Sequence, residues 1–85
     1  MSLKKYEAFV RTVELGSLTN AAQSLGSTQS RISHILNDLE EEYGFRLMHR
    51  SRGGIELTEA GRLLLPRMQA IVQKEQELSE CVAEI

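Results

Sequence analysis

The chain has 85 residues, a formal net charge of −2 and 41% hydrophobic residues, which suits one small folded domain and excludes a disordered chain. No apolar run approaches the length of a membrane span, and the first residues lack the apolar stretch of a signal peptide. The single cysteine, Cys81, excludes an internal disulfide. We therefore expect a cytoplasmic protein without a membrane partner.

Charge is unevenly distributed along the chain. Residues 1–67 hold nine Lys and Arg against eight Asp and Glu, whereas residues 68–85 hold one Lys and four Glu. Binding to nucleic acid depends on where cations lie more than on their sum. The negative net charge therefore does not exclude DNA as a partner, but it predicts modest affinity from one copy.

The first predicted helix covers about residues 3–15 and carries apolar side chains on one face, at positions 3, 6, 9, 10 and 13. Gly16 ends it, and Ser17 can cap the next helix. This helix holds no candidate for chemistry. We expect it to pack behind the following elements, with Phe9 as its largest contribution to the core.

Residues 18–43 predict two helices with a very short break between them. Apolar positions 18, 21, 22 and 25 form one helical stripe, and positions 32, 36, 39 and 43 form another. Gly26 suits a left-handed C-terminal cap, and Ser27 and Thr28 offer hydroxyls to cap the second helix. Two helices joined by a short turn that contains Gly are typical of a helix-turn-helix.

In a helix-turn-helix the first turns of the second helix enter the DNA major groove. The side chains in those turns are polar, and most can contact a base edge or a phosphate: Thr28, Gln29, Ser30, Arg31, Ser33 and His34. An acidic run at positions 38 and 40–42 follows, which we interpret as a solvated face that points away from the duplex.

A basic β-hairpin follows the second helix. Residues 45–50 predict a short strand, residues 51–54 a glycine-containing turn, and residues 55–57 a second strand. Arg46, Arg50 and Arg52 lie in this segment, and we expect Arg50 and above all Arg52 to contact DNA. A hairpin in this place is interpreted as a wing, whose arginines suit a narrow minor groove or the backbone. The alternative is an exposed hairpin with incidental arginines.

Residues 58–85 predict one long helix capped by Thr58. Its apolar seam follows heptad spacing with one interruption at Glu75. The seam favours a homodimer through the same helix of a second chain, although the helix could also fold back on its own domain. The predicted dimerisation residues are Leu64, Met68, Ile71, Leu78, Val82 and Ile85.

The elements together predict a mostly α fold with a small β-hairpin: a winged helix-turn-helix over residues 1–57 and a linker or dimerisation helix over residues 58–85. The expected function is sequence-specific binding of double-stranded DNA by a transcriptional regulator. In this arrangement the helix of about residues 28–43 contacts the major groove, and the wing at 46–57 contacts the minor groove or the backbone.

The whole chain resembles the N-terminal part of a LysR-type transcriptional regulator. The resemblance rests on residues 9–39, and on the Leu-Thr-Glu-Ala-Gly segment at 57–61 followed by Leu-Leu-Pro at 64–66. It implies a winged helix-turn-helix with a dimerising linker helix, and a separate C-terminal effector-binding domain that this chain is too short to contain. A small-molecule effector is expected only in that domain.

The contacts of the family carry over to most of the DNA-binding residues named above, in the second helix and at Arg52. Several positions depart from the usual pattern. Arg31 stands where a small residue is common and adds a bidentate donor suited to guanine. His34 stands where Arg is common, and Ser30 where proline is common. These departures leave the target sequence open.

Other functions are less well supported by the residues. Neither a metal site nor a cofactor site is predicted, because Cys and His pairs at short intervals are absent from the sequence. Ser33 and His34 are adjacent on one helix and point in different directions, which disfavours a nucleophile with its base and hence an enzyme. A protein-interaction module built on the long helix, and a molybdate-responsive or MarR-like winged-helix regulator, remain alternatives.

Overall fold

The computed structural model describes residues 3–51 and 53–85 and contains four helices and one hairpin in those ranges. Helices α1 (Lys4–Leu15), α2 (Leu18–Ser24) and α3 (Gln29–Tyr43) are followed by strands β1 (Met48–Ser51) and β2 (Gly54–Leu57), and then by helix α4 (Glu59–Glu84). The mostly α fold with a small β-hairpin is confirmed. None of the helices in the described ranges combines the length and apolar character needed to cross a membrane.

Hydroxyl side chains begin three of the helices, as the sequence predicts. Ser17 Oγ accepts the Asn20 N–H at 3.2 Å, and Thr28 Oγ1 accepts the Arg31 N–H at 3.2 Å. Thr58 Oγ1 likewise accepts the Gly61 N–H at the start of α4, at 3.1 Å. Gly26 adopts the left-handed conformation after α2, with a φ of 63°. Local capping chemistry therefore sets the short break between α2 and α3.

The core lies where α1 packs against α2, α3 and α4. Phe9 is fully buried and is the largest buried side chain among the described residues, which matches its predicted role. Ala21 and Ala22 are buried in α2, where small side chains let the adjacent helices approach. Helix α3 contributes three fully buried apolar side chains to the same core: Ile32, Leu36 and Leu39.

The hairpin is antiparallel, and its register pairs Met48 with Leu57 and Ser51 with Gly54. Its first strand begins at residue 48 and not at residue 45, so the predicted start of the strand is wrong by three residues. The difference has a physical reason. The Leu47 N–H donates to the Glu40 carboxylate at 2.6 Å instead of to a neighbouring strand. Residues 45–47 are therefore a connecting segment anchored to α3.

Glu40 is not part of a solvated face, which corrects the interpretation of the acidic run. The residue is 7% exposed. Its Oε2 accepts the backbone N–H groups of Leu47 and Met48, at 2.6 and 3.3 Å, and its Oε1 lies 3.3 Å from Arg46 Nε. Because two backbone donors and a guanidinium satisfy the carboxylate, it can be buried where α3 meets the hairpin.

Met68 does not face outward from α4, which corrects its predicted place in the dimerisation seam. It is 3% exposed and belongs to the same buried cluster as Val10 and Val72. The first half of α4 thus folds back against α1, the arrangement that the sequence left as the alternative. The core extends across the boundary predicted between residues 57 and 58, so the described chain shares one hydrophobic core through Val72.

Candidate nucleic-acid interface

The N-terminal turns of α3 form an exposed polar surface. Of the six residues predicted there, the described structure leaves most side chains in solvent and half-buries only Ser33. The exposed members are Thr28, Gln29, Ser30, Arg31 and His34. The opposite side of α3 is held in the core through its buried apolar residues, so the helix cannot rotate without exposing them.

Two side chains at the start of α3 already make hydrogen bonds. Thr28 Oγ1 accepts the capping bond from the Arg31 N–H, which leaves its hydroxyl hydrogen able to donate to an acceptor such as a phosphate. Thr19 Oγ1 on α2 donates to Gln29 Oε1 at 3.3 Å. This contact leaves both amide hydrogens of Gln29 free to donate to acceptors on a base edge.

Arg31 and His34 differ in their electrostatic surroundings. His34 Nε2 lies 3.3 Å from Asp38 Oδ2, and both side chains are largely exposed. Among the residues that the structure describes, the Arg31 guanidinium has no carboxylate within 4.0 Å. Arg31 therefore presents an unneutralised bidentate donor, the arrangement that suits a guanine edge or a phosphate.

The acidic groups of α3 lie toward its other end. Glu42 Oε1 is 3.2 Å from Lys5 Nζ, which ties this end of α3 to α1. Glu41 is exposed one residue earlier. The helix therefore separates an N-terminal surface that contains Arg31 from a C-terminal surface that contains carboxylates. A polyanion is favoured at the first surface and repelled at the second.

Arg46 and Arg50, the hairpin arginines that lie within the described residues, have different partners. The Arg46 guanidinium pairs with Glu40, and the Arg50 guanidinium reaches back to α3 and contacts Ser33 and Asn37. Arg52, the predicted minor-groove contact, lies outside the described residues. Of the predicted DNA contacts, the structure thus joins Ser33 and Arg50 to each other and leaves the N-terminal residues of α3 exposed.

The sequence reasoning missed Thr19 and Asn37, which hold predicted contact residues by hydrogen bonds. Asn37 lies four residues after Ser33 and therefore shares its face of the helix, a signal that was available. The partner of that face, Arg50, is distant in sequence and could not be found by spacing alone. Ser33 Oγ accepts a hydrogen bond from Arg50, an arrangement different from a nucleophile held by a base. No group of three or more His, Cys, Asp and Glu side chains suited to a metal ion occurs in the described ranges.

The outer part of α4 carries the remaining predicted seam. Leu64 is half-buried against the core. Four other seam residues are exposed by 41–102% in the single chain: Ile71, Leu78, Val82 and Ile85. Their spacing of seven, four and three residues places them along one stripe of the helix, and this stripe continues beyond the last core residue, Val72.

Comparison with known proteins identifies relatives of this architecture. A family model described as "Bacterial regulatory helix-turn-helix protein, lysR family" matches residues 3–62. The chain is 40% identical over 77 residues to the HTH-type transcriptional regulator TdcA of Escherichia coli (strain K12), covering 91% of this chain and 24% of that protein. It is 43% identical over 74 residues to a probable nitrogen assimilation transcriptional activator of Synechococcus elongatus, covering 87% and 24%.

Solved structures of similar fold include complexes with DNA. The CbnR_DBD–DNA complex matches with a TM-score of 0.81 and 30% identity, over 98% of this chain and 99% of that chain. The BenM_DBD/catB site 1 DNA complex matches with a TM-score of 0.87 and 26% identity, over 99% and 94%. The chain spans about a quarter of the length of the curated relatives named above. With a family model matching most of its length and relatives this similar in sequence and fold, the chain belongs to the lysR family of bacterial regulatory helix-turn-helix proteins.

Proposed function

We propose that this chain is the sequence-specific DNA-binding part of a transcriptional regulator and that it binds as a homodimer. The observation that carries the proposal is the exposed polar start of α3, where Arg31 is free of carboxylates among the described residues. The similar CbnR_DBD and BenM_DBD structures are DNA complexes, and the curated relatives are named as transcriptional regulators or activators. Family membership removes the support for an enzyme and for the molybdate-responsive and MarR-like alternatives.

The residues proposed to contact the major groove are those exposed at the start of α3: Thr28, Gln29, Ser30, Arg31 and His34. Arg52 remains the proposed wing contact from the sequence. The relatives are about four times longer than this chain, so we assign any small-molecule effector to regions outside these residues. A regulator that contacts the bacterial chromosome works in the cytoplasm, which is the location we propose.

Selection of bound oligonucleotides from a random pool tests the DNA-binding proposal directly. The purified 85-residue chain is expected to enrich a recurrent sequence with two related halves, because each copy of a dimer contacts one half-site. Recovery of a pool without a recurrent sequence would overturn the proposal. The enriched DNA then serves as the specific ligand in binding titrations of the wild-type chain and its variants.

Arg31→Ala tests the assignment of base contacts. Removing a bidentate guanidinium is expected to cost about 1–3 kcal/mol on the selected site and to relax base preference at one position, with a smaller loss on random DNA. Titration of both DNAs at one salt concentration measures the difference. Arg11→Ala is the matched control, since that arginine pairs with Glu14 on α1, away from the start of α3. Equal losses on the two DNAs for Arg31→Ala would contradict the assignment.

The dimer is proposed to form through the exposed stripe of α4, from Ile71 to Ile85. A second copy fits because the stripe is self-complementary in a two-fold pair and follows heptad spacing. Leu78→Asp is expected to yield a monomer in sedimentation velocity, because it places a charge in the apolar contact. Gln76→Asp introduces the same charge on roughly the opposite side of the helix and should leave the dimer intact. A dimeric Leu78→Asp variant would show that another surface joins the copies.

A further inference from the structure

Arg50 lies where the hairpin faces α3, and its guanidinium spans two side chains of that helix. Its Nη1 donates to Ser33 Oγ at 2.7 Å, and its Nη2 donates to Asn37 Oδ1 at 3.3 Å. The two acceptors are one helical turn apart on the same face of α3. The planar fork of arginine matches this pair in a way that a lysine ammonium cannot.

The Arg50 bridge is directional and is not an ion pair. Both acceptors are neutral, and no carboxylate in the described part of the chain lies within 4.0 Å of this guanidinium. Its Nε is buried and has no hydrogen-bond partner among the described residues. A buried donor without a partner costs free energy. The side chain nevertheless keeps a position in which its two Nη atoms bond to α3 and its Nε does not bond, so the bridge to α3 determines that position.

Within the described residues, the hairpin is joined to helix α3 at two positions, one near its start and one further along β1. The first is at its base, where the backbone of Leu47 and Met48 donates to Glu40. The second is the Arg50 bridge, two residues further along β1 and one residue before its end. Helices α1 and α4 also pack against the hairpin, through β2. Arg50 therefore ties the outer part of the wing to the middle of α3.

We propose that Arg50 is a positioning residue that holds the wing at a fixed angle to α3, acting through Ser33 and Asn37 and not through contact with DNA. The inference rests on the proposed function, since it concerns how α3 and the wing engage two neighbouring grooves together. When the wing is held rigidly relative to α3, the contact of α3 with one groove and the contact of the wing with the neighbouring groove depend on each other. Sequence discrimination is then lost when the bridge is broken, even if every charge is retained.

Comparison of Arg50→Lys with Arg50→Met separates positioning from contact with phosphate. Lysine keeps the charge and loses the fork. The ratio of affinities for the selected site and random DNA is expected to fall about tenfold in both variants, the scale of a lost hydrogen bond to a charged group. A phosphate contact would instead leave Arg50→Lys close to wild type, and would make the salt slope of Arg50→Met shallower by about 0.9. That outcome overturns the proposal.

Two further variants test whether Arg50 acts through α3. Asn37→Ala removes an exposed acceptor, and combining it with Arg50→Met is expected to lower the affinity ratio no further than Arg50→Met alone. His49→Met on the exposed opposite face of β1 is the matched control and should leave the ratio unchanged. Additive losses in the double variant would overturn the proposal. A simple loss of folded protein lowers both affinities by one factor and does not move the ratio.

A readout without DNA distinguishes failure of this inference from failure of the proposed function. In the free wild-type chain, the Arg50 guanidinium hydrogens should exchange slowly with water in nuclear magnetic resonance spectra and become fast in Ser33→Ala. Fast exchange in the wild type overturns the bridge itself. A wild-type chain that shows slow exchange but selects no DNA overturns the proposed function and the positioning role with it. Selection of DNA together with unchanged discrimination in Arg50→Lys overturns the inference alone.

Discussion

At the scale of single residues, the arginines beside α3 and in the hairpin region have contrasting surroundings. Arg46 is neutralised by Glu40, whereas Arg31 and Arg50 have no carboxylate within 4.0 Å among the described residues. Composition alone assigns all three the same positive charge. Only the tertiary structure separates an arginine that stabilises the fold from one that is open to a ligand and one that joins two elements.

Glu40→Ala is expected to destabilise the fold by about 2–3 kcal/mol, because it leaves two buried backbone donors without their acceptor and removes the ion pair with Arg46. Urea unfolding followed by circular dichroism measures the change. Glu41→Ala is the matched control: its side chain is exposed on the same helix, and its effect should stay within about 0.5 kcal/mol. Equal stability of the two variants would contradict the role assigned to Glu40.

Gly61 belongs to the family motif, but its role becomes clear only from the structure. The Leu-Thr-Glu-Ala-Gly segment supports the resemblance, but the sequence offers no reason for its last residue. In the structure, Gly61 is buried, and a Cβ built there would collide with the backbone carbonyl of Leu47. The glycine is required because α4 passes directly over the segment that leads into β1.

At the scale of elements, Thr58 joins the hairpin to α4. Its Oγ1 accepts the Gly61 N–H at 3.1 Å and donates to the Arg46 carbonyl at 2.7 Å, while its own N–H donates to the Leu47 carbonyl at 3.0 Å. One residue thus caps the long helix and fixes where that helix starts relative to the hairpin.

Thr58→Val is expected to lower the free energy of unfolding by about 1–2 kcal/mol, since it removes the cap while keeping the size and branching of the side chain. Thr58→Ser retains the hydroxyl and should stay close to wild type. Both can be compared by urea unfolding. A serine variant as unstable as the valine variant would show that the methyl group, and not the hydroxyl, matters at this position.

Elements were predictable where local patterns decide them. Apolar periodicity and caps located α1, α3 and α4 to within about one residue, since both signals are contained in the segment itself. The predicted start of β1 is wrong because the acceptor for the Leu47 N–H comes from a side chain on α3. The predicted place of Met68 in the dimerisation seam is wrong because heptad spacing specifies an apolar stripe, but not which surface covers it.

The candidate site was predictable to a smaller extent. The exposed residues at the start of α3 follow from the position of the helix-turn-helix, because the opposite side of the helix is apolar. The pairing of Arg50 with Ser33 joins residues 17 apart in sequence, and no local pattern predicts it. Non-local polar contacts depend on how elements pack, and this information is absent from periodicity.

At the scale of the whole molecule, the proposed dimer predicts how affinity depends on the DNA. The Leu78→Asp variant, which we expect to be a monomer, should bind a single half-site as the wild type does. On DNA with two half-sites it should lose about a hundredfold or more, because the second contact no longer benefits from a high effective concentration. Titration of the two DNAs measures this difference. Similar losses on both DNAs would indicate that the substitution perturbs the α3 surface and not the pairing of copies.

Helix α4 leaves the core at Val72 and continues through residues 73–84, a further length of about 18 Å. This segment is a rigid helical extension, and the helix is anchored to the rest of the domain by its packing against α1. When two such extensions pair through their exposed apolar stripes, a small change in the crossing angle of the two helices moves the two N-terminal domains toward or away from each other. A change in this crossing angle would then alter the separation of half-sites that the two copies can bind together, without a structural change inside either domain.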